Sequence, residues 1–283
     1  MRIPITADLR LFVDIEGPAL VPVGPELREK PTLVLLHGGP GYDHSGFKPA
    51  FSRLADIAQI VYYDHRGHGR SDRCPADEWT LNTFADDVVR LCDALGVAKP
   101  IVLGQSFGGF VAQRYIARHP GHAAKVILSS TAPRMNLERK LAMFERLGGI
   151  EARTVAEQFW QAPSATTWAR YNAVCKRYYN TVQPADDDAQ RRIVFNEAIL
   201  FASAAGEQRS MDLLPGLAQA RCPVLVMAGE LDPVCPLQDA LDIAAALPPE
   251  RMQLATFANS GHGAWRDEPD AAFSRLRRFI LEG

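Results

Sequence analysis

Runs of Val, Ile and Leu punctuate the chain at 32–38 (TLVLLHG), 58–64 (AQIVYYD), 99–105 (KPIVLGQ), 124–130 (AKVILSS), 222–229 (CPVLVMAG) and 252–257 (MQLATF). Each is short and feeds a loop, so each predicts a buried strand. Between them the apolar positions take helical spacing. Over 82–95, Phe84, Val88, Leu91 and Leu95 share one face, with Asn82 expected as N-cap and Gly96 as the stop. The span 270–281 repeats the pattern with Phe273, Leu276, Phe279 and Ile280. Strand and helix in alternation predict an α/β fold, a mostly parallel sheet covered on both faces. The opening up to Glu29 reads as short strands broken by prolines, an antiparallel edge.

One stretch breaks this rhythm. From about Arg134 to Pro215 the pattern is helical and aromatic, with Phe159, Trp160, Trp168, Tyr171, Tyr178, Tyr179, Phe195 and Phe201. It falls between two predicted strands, so it is expected as a helical cap over the C-terminal ends of the sheet, where open α/β sheets bind ligands. The domain organisation that follows is a core of 1–133 and 216–283 interrupted by a cap of 134–215. Within the cap, QPADDDAQRR at 183–192 reads as a polar loop leading into a helix start.

Composition narrows the function classes. The 283 residues are 47% hydrophobic and 23% charged, as in a globular protein with a large core. A net charge of -2 and the lack of a basic, aromatic-interleaved run give no footprint for nucleic acid. The N-terminus has no signal-peptide core and no apolar run approaches a membrane span, so a soluble cytoplasmic protein without a membrane partner is expected. The five cysteines are scattered without a C-x-x-C pair, which predicts free thiols rather than zinc or disulfides. His65 and His68 in YYDHRGHGRSD lack a carboxylate-rich partner segment, and no metal or other cofactor is expected.

The chemistry centres on IVLGQSFGGF at 101–110. A strand runs into Gly104 and a helix follows, so Ser106 stands on a strand-to-helix turn flanked by Gly104 and Gly108. That context presents a serine hydroxyl outward beside a helix N-terminus. The spacing fits neither a dinucleotide turn nor a phosphate loop. A serine needs a histidine to take its proton and a carboxylate to orient the histidine. Asp232 follows the strand VLVMAG, and His262 follows MQLATF in a glycine-flanked loop. His119 and His122 lie at the far end of the helix after Ser106. Ser106, Asp232 and His262 are therefore the expected catalytic set. For an oxyanion, the amides of Phe107 and of Gly39, in the loop HGGPG, are the expected donors.

In the order HGGPG, DHRGHGRSD, GQSFGG, GELDP and SGHG, the chain resembles the α/β-hydrolase superfamily over nearly its whole length. Ser106 stands where haloalkane dehalogenases and epoxide hydrolases carry Asp. HGGPG most resembles the proline iminopeptidase branch, whose members remove an N-terminal residue, often proline, and hold the free amine with acidic cap residues. That resemblance implies Glu197, in FNEAILF, as a substrate-binding residue; a solvated helix glutamate is the other reading. Two departures stand out: Pro233 follows Asp232 where some relatives carry Glu, and Arg134 falls a few residues late for the arginine of another subgroup. Glu230 lies close by. The expected activity is a serine aminopeptidase or amidase on a short peptide or small molecule. A carboxylesterase, lactonase or carbon–carbon hydrolase, and a non-catalytic ligand-binding protein on the same fold, are the alternatives; a homo-oligomer is left open.

Overall fold

The computed structural model describes residues 1–183 and 188–282. All six predicted strands form, most of them a residue or two shorter than their apolar runs. The strands are β1 (Arg2–Pro4), β2 (Arg10–Glu16), β3 (Leu20–Val23), β4 (Glu26–Glu29), β5 (Thr32–Leu36), β6 (Gln59–Tyr63), β7 (Ile101–Gln105), β8 (Lys125–Ser129), β9 (Val224–Gly229) and β10 (Met252–Phe257). Eight of them make one sheet in the order β1-β2-β6-β5-β7-β8-β9-β10. From β6 to β10 all neighbours are parallel, whereas β1 and β2 form the antiparallel edge. The pair β3–β4 is a separate hairpin.

The continuous apolar runs are explained by burial on both faces. Val34, Leu36, Val102, Val126 and Leu128 point to one side and pack with Phe84, Val88, Phe110 and Val111. Leu33, Leu35, Leu103, Ile127 and Leu225 point to the other and pack with Phe51, Trp265, Phe273 and Phe279. Adjacent residues of one strand thus serve two cores, as the period of two requires. The helix Leu81–Leu95 ends at Gly96 (φ 70°) as expected, but its N-cap is Thr80, not Asn82. The Thr80 hydroxyl accepts the Thr83 amide, and Glu207 accepts the Leu81 amide at 2.8 Å, so the cap lies two residues earlier than expected.

Between β8 and β9 the described residues form helices and turns and no strand of the sheet; the main helices are Leu137–Gln161, Ala165–Val174 and Glu197–Ala205. The first is kinked at Gly149 (φ 70°). The stretch begins and ends side by side: Leu213 N donates to Pro133 O at 3.0 Å, and Arg134 forks onto the Asp212 carboxylate at 2.8 and 2.7 Å. Of the expected polar loop, Pro184 to Asp187 lie outside the described residues, and Ala189–Arg192 is a single 3-10 turn rather than the start of an α-helix. Among the described residues no helix is long and apolar enough to cross a membrane. All five cysteines are free.

Candidate active site

Ser106 is the one-residue hinge between β7 and the helix Phe107–Arg118, at φ 56° and ψ −117°. A non-glycine residue there is strained. Long-range bonds hold it: Ser106 N donates to Ser129 O at 3.0 Å, and Thr131 Oγ1 donates to Ser106 O at 2.9 Å. The flanking glycines are sterically required. A Cβ on Gly104 would lie 2.3 Å from Gly108 O, and one on Gly108 would lie 2.0 Å from Leu36 O. The turn can therefore press against β5 only if both positions lack side chains.

His262 and Asp232 arrive from the loops after β10 and β9. His262 Nε2 lies 2.9 Å from Ser106 Oγ, and its Nδ1 lies 2.8 Å from Asp232 Oδ2. The other Asp232 oxygen accepts the amides of Val234 and Cys235 at 2.7 and 2.9 Å. With Nδ1–H donating to the Asp232 carboxylate, Nε2 faces the hydroxyl as an acceptor. The three residues predicted from separate motifs thus form one hydrogen-bonded line, and all three are buried.

The oxyanion candidates lie on either side of Ser106. Phe107 is the first residue of its helix, so its amide has no intrahelical partner. β5 stops at Leu36, releasing 37–41 as a loop. A Cβ on Gly38 would sit 3.3 Å from Ser106 Cβ, which brings this loop against the serine, and Gly39 is exposed at φ 131°. His37 braces the loop. Its Nε2 accepts the His65 amide at 3.1 Å, so Nδ1 carries the proton and donates to Gly38 O at 2.8 Å. Burial pushes the His37 pKa below its ordinary value, in keeping with this neutral form.

Several supporting residues escaped the sequence reading. His262 N donates to Tyr179 O at 2.5 Å, and the Tyr179 ring meets the imidazole edge-on with centroids 5.5 Å apart. Gly261 packs so closely there that a Cβ would lie 2.1 Å from Tyr179 O. Asp267 ties both sides together, accepting Gly261 N at 2.8 Å and the amides of Thr181 and Val182 at 3.1 Å each. Glu268 accepts Ser260 Oγ at 2.6 Å. The adjacent acids of WRDEP, directly after the His262 loop, were the available signal.

The remaining candidates separate. Glu197 opens the helix Glu197–Ala205 and is exposed, without a hydrogen bond or ion pair among the described residues. Its neighbour Asn196 is pinned to the core, donating from N to Gly41 O at 2.8 Å and from Nδ2 to Gly67 O at 3.1 Å. Arg134 is committed to Asp212. His65 and His68 are buried against Phe107, with ring centroids 5.8 and 5.9 Å from it. Burial drives the pKa of His65 well below its ordinary value and that of His68 down to about 3, so both are neutral packing groups. Asp232, Cys235 and His262 bring potential ligand atoms within 4.8 Å of one another. The carboxylate and imidazole are already bonded to each other, and burial holds the Cys235 thiol well above its ordinary pKa.

The model of the α/β hydrolase fold family matches residues 31–269, most of the chain. The chain belongs to this family. Among curated relatives, the α/β-hydrolase is similar to the proline iminopeptidase PfmaB of Pestalotiopsis fici, 28% identical over 95% of this chain and 98% of that one. It is equally similar to a putative carbamate hydrolase, RutD, of a Caulobacter species, 29% identical over 87% and 90%. In fold it matches a solved proline iminopeptidase of Mycobacterium smegmatis, with a TM-score of 0.82 at 23% identity over 99% and 97% of the two chains.

Proposed function

We propose that this α/β-hydrolase is a serine hydrolase acting through an acyl-enzyme. The line from Asp232 through His262 to Ser106, at 2.8 and 2.9 Å, carries the reading. As Ser106 Oγ bonds to the substrate carbonyl carbon, its proton passes to His262 Nε2. The carbonyl oxygen, now an oxyanion, is held by the amides of Phe107 and Gly39. Collapse breaks the bond to the leaving group, which takes the proton from His262. Water then attacks the acyl-serine by the same route, releasing the acid and restoring Ser106. Asp232 keeps the imidazole in the productive tautomer and balances the imidazolium charge.

For the substrate we propose a short peptide or amide with a free N-terminal residue such as proline. The HGGPG loop and the likeness to proline iminopeptidases support this reading. Glu197, beside the pinned Asn196, is the candidate partner for the substrate ammonium. A neutral ester or lactone is the second reading, favoured by the exposure of Glu197 and by Pro233 after Asp232. Steady-state hydrolysis of proline and alanine p-nitroanilides beside matched p-nitrophenyl esters separates the two. Cleavage of free-amine anilides that stops when the amine is acylated supports an aminopeptidase. Cleavage of esters alone supports the second reading. In either case Glu197→Gln tells the roles apart: an aminopeptidase is expected to show a higher KM for free-amine substrates, whereas an esterase is expected to be unaffected.

A further inference from the structure

Lys176 is a cation with no acidic partner among the described residues. It opens the 3-10 turn Lys176–Tyr178, half-buried between the helical stretch and the core. Its Nζ donates to Tyr42 Oη at 2.7 Å, and the rings of Tyr42 and Trp168 flank it with centroids at 4.8 and 6.0 Å. Among the described residues no carboxylate forms an ion pair with it. Arg139, on the same stretch, reaches two, Asp239 at 2.8 Å and Asp242 at 2.6 Å. An ammonium has three donor hydrogens, and Tyr42 takes one.

The position of this turn gives the unpaired charge a purpose. On one side Tyr42 packs on the oxyanion loop, where a Cβ on Gly39 would lie 3.3 Å from Tyr42 Cδ2. On the other side the next residue after the turn, Tyr179, holds His262 through its carbonyl. Lys176 thus stands between two segments that meet the proposed machinery, bonded to Tyr42 beside Gly39 and three residues before the Tyr179 carbonyl that holds His262. Phe195, against Tyr42 at 4.9 Å, is 37% exposed. Partial desolvation of an ammonium is unfavourable until an anion pairs with it, and here the substrate is the available source of one.

We propose that Lys176, aimed by Tyr42, forms a carboxylate subsite, so that the enzyme takes substrates with a free carboxylate a few bonds from the scissile carbonyl. The inference rests on the serine-hydrolase reading. The carboxylate has two sources, the leaving group (the C-terminus of a dipeptide) or the acyl group (a dicarboxylic monoester). Two matched pairs tell them apart: prolyl-alanine against prolyl-alaninamide, and mono-p-nitrophenyl adipate against p-nitrophenyl hexanoate. The wild type is expected to favour the carboxylate member of one pair by about tenfold or more in kcat/KM, chiefly through KM. Lys176→Met is expected to erase the preference and Lys176→Arg to retain most of it. Thermal melting and fluorophosphonate labelling of Ser106 report whether the variants are folded. Should Lys176→Met not fold, Tyr42→Phe, which removes only the aiming hydroxyl, is expected to weaken the same preference. Equal kcat/KM within both pairs in the wild type, or a preference that survives Lys176→Met, would overturn the proposal. A Lys176-dependent preference in the ester pair without dipeptide cleavage keeps the subsite and refutes the peptidase reading. Dipeptide cleavage without preference in either pair does the reverse.

Discussion

Ser106 occupies a backbone conformation that costs stability and is held by contacts from β8 and Thr131. Ser106→Ala keeps those backbone bonds, so its melting temperature is expected to stay near that of the wild type while kcat falls by about 10⁴–10⁶. Asp232→Asn is expected to lower kcat by about 10⁴, because an amide at that position favours the wrong imidazole tautomer. The glycines act differently. In Gly108→Ala the new Cβ meets the backbone carbonyl of Leu36, which has no rotamer by which to yield. That variant is expected to lose about 3 kcal/mol or more of stability in urea unfolding, and retention of wild-type stability would refute the steric account of the turn.

The strands of the sheet were legible in the sequence because burial on both faces makes their apolar runs continuous. Ser106, Asp232 and His262 were legible because each follows such a run in a glycine- or proline-marked loop. Other features left weaker marks. Thr80 displaced Asn82 as N-cap because helix initiation depends on which hydroxyl reaches an amide, and Thr and Asn both suit that role. The grip of Tyr179 on His262 was invisible because a carbonyl carries no side-chain signature, and its partner is far away in the chain. That grip is open to test. Gly261→Ala would push the His262 loop and the Tyr179 turn apart, and a displacement of about 1 Å is expected to lower kcat/KM by about a hundredfold. Unchanged kinetics in a folded Gly261→Ala variant would show that the turn does not position His262.

Three neutral histidines inside the core make the stability of the fold depend on pH. Burial lowers the pKa of His37, of His65 and of His68, the last to about 3. Below about pH 6.5 the unfolded chain takes up protons that the folded chain refuses. Their contribution to stability is therefore complete above that pH and is lost progressively on acidification toward the folded-state values. Urea unfolding at about pH 7 and about pH 5 is expected to show a loss on the order of 1–2 kcal/mol from His68, with His37 and His65 adding to it in the same direction. Equal stability at the two pH values would mean that these histidines are solvated or charged in the fold. The same packing lets His37 brace the loop of Gly38 and Gly39, the proposed oxyanion donor, so activity is expected to fall on the acid side along with stability.

The role of Ser106 as nucleophile is tested most directly by intact-protein mass spectrometry after reaction with a fluorophosphonate, followed by peptide mapping. The expected result is a single adduct on Ser106 in the wild type, no adduct in Ser106→Ala, and greatly slowed labelling in His262→Ala. An adduct elsewhere, or labelling and turnover that persist in Ser106→Ala, would contradict the account.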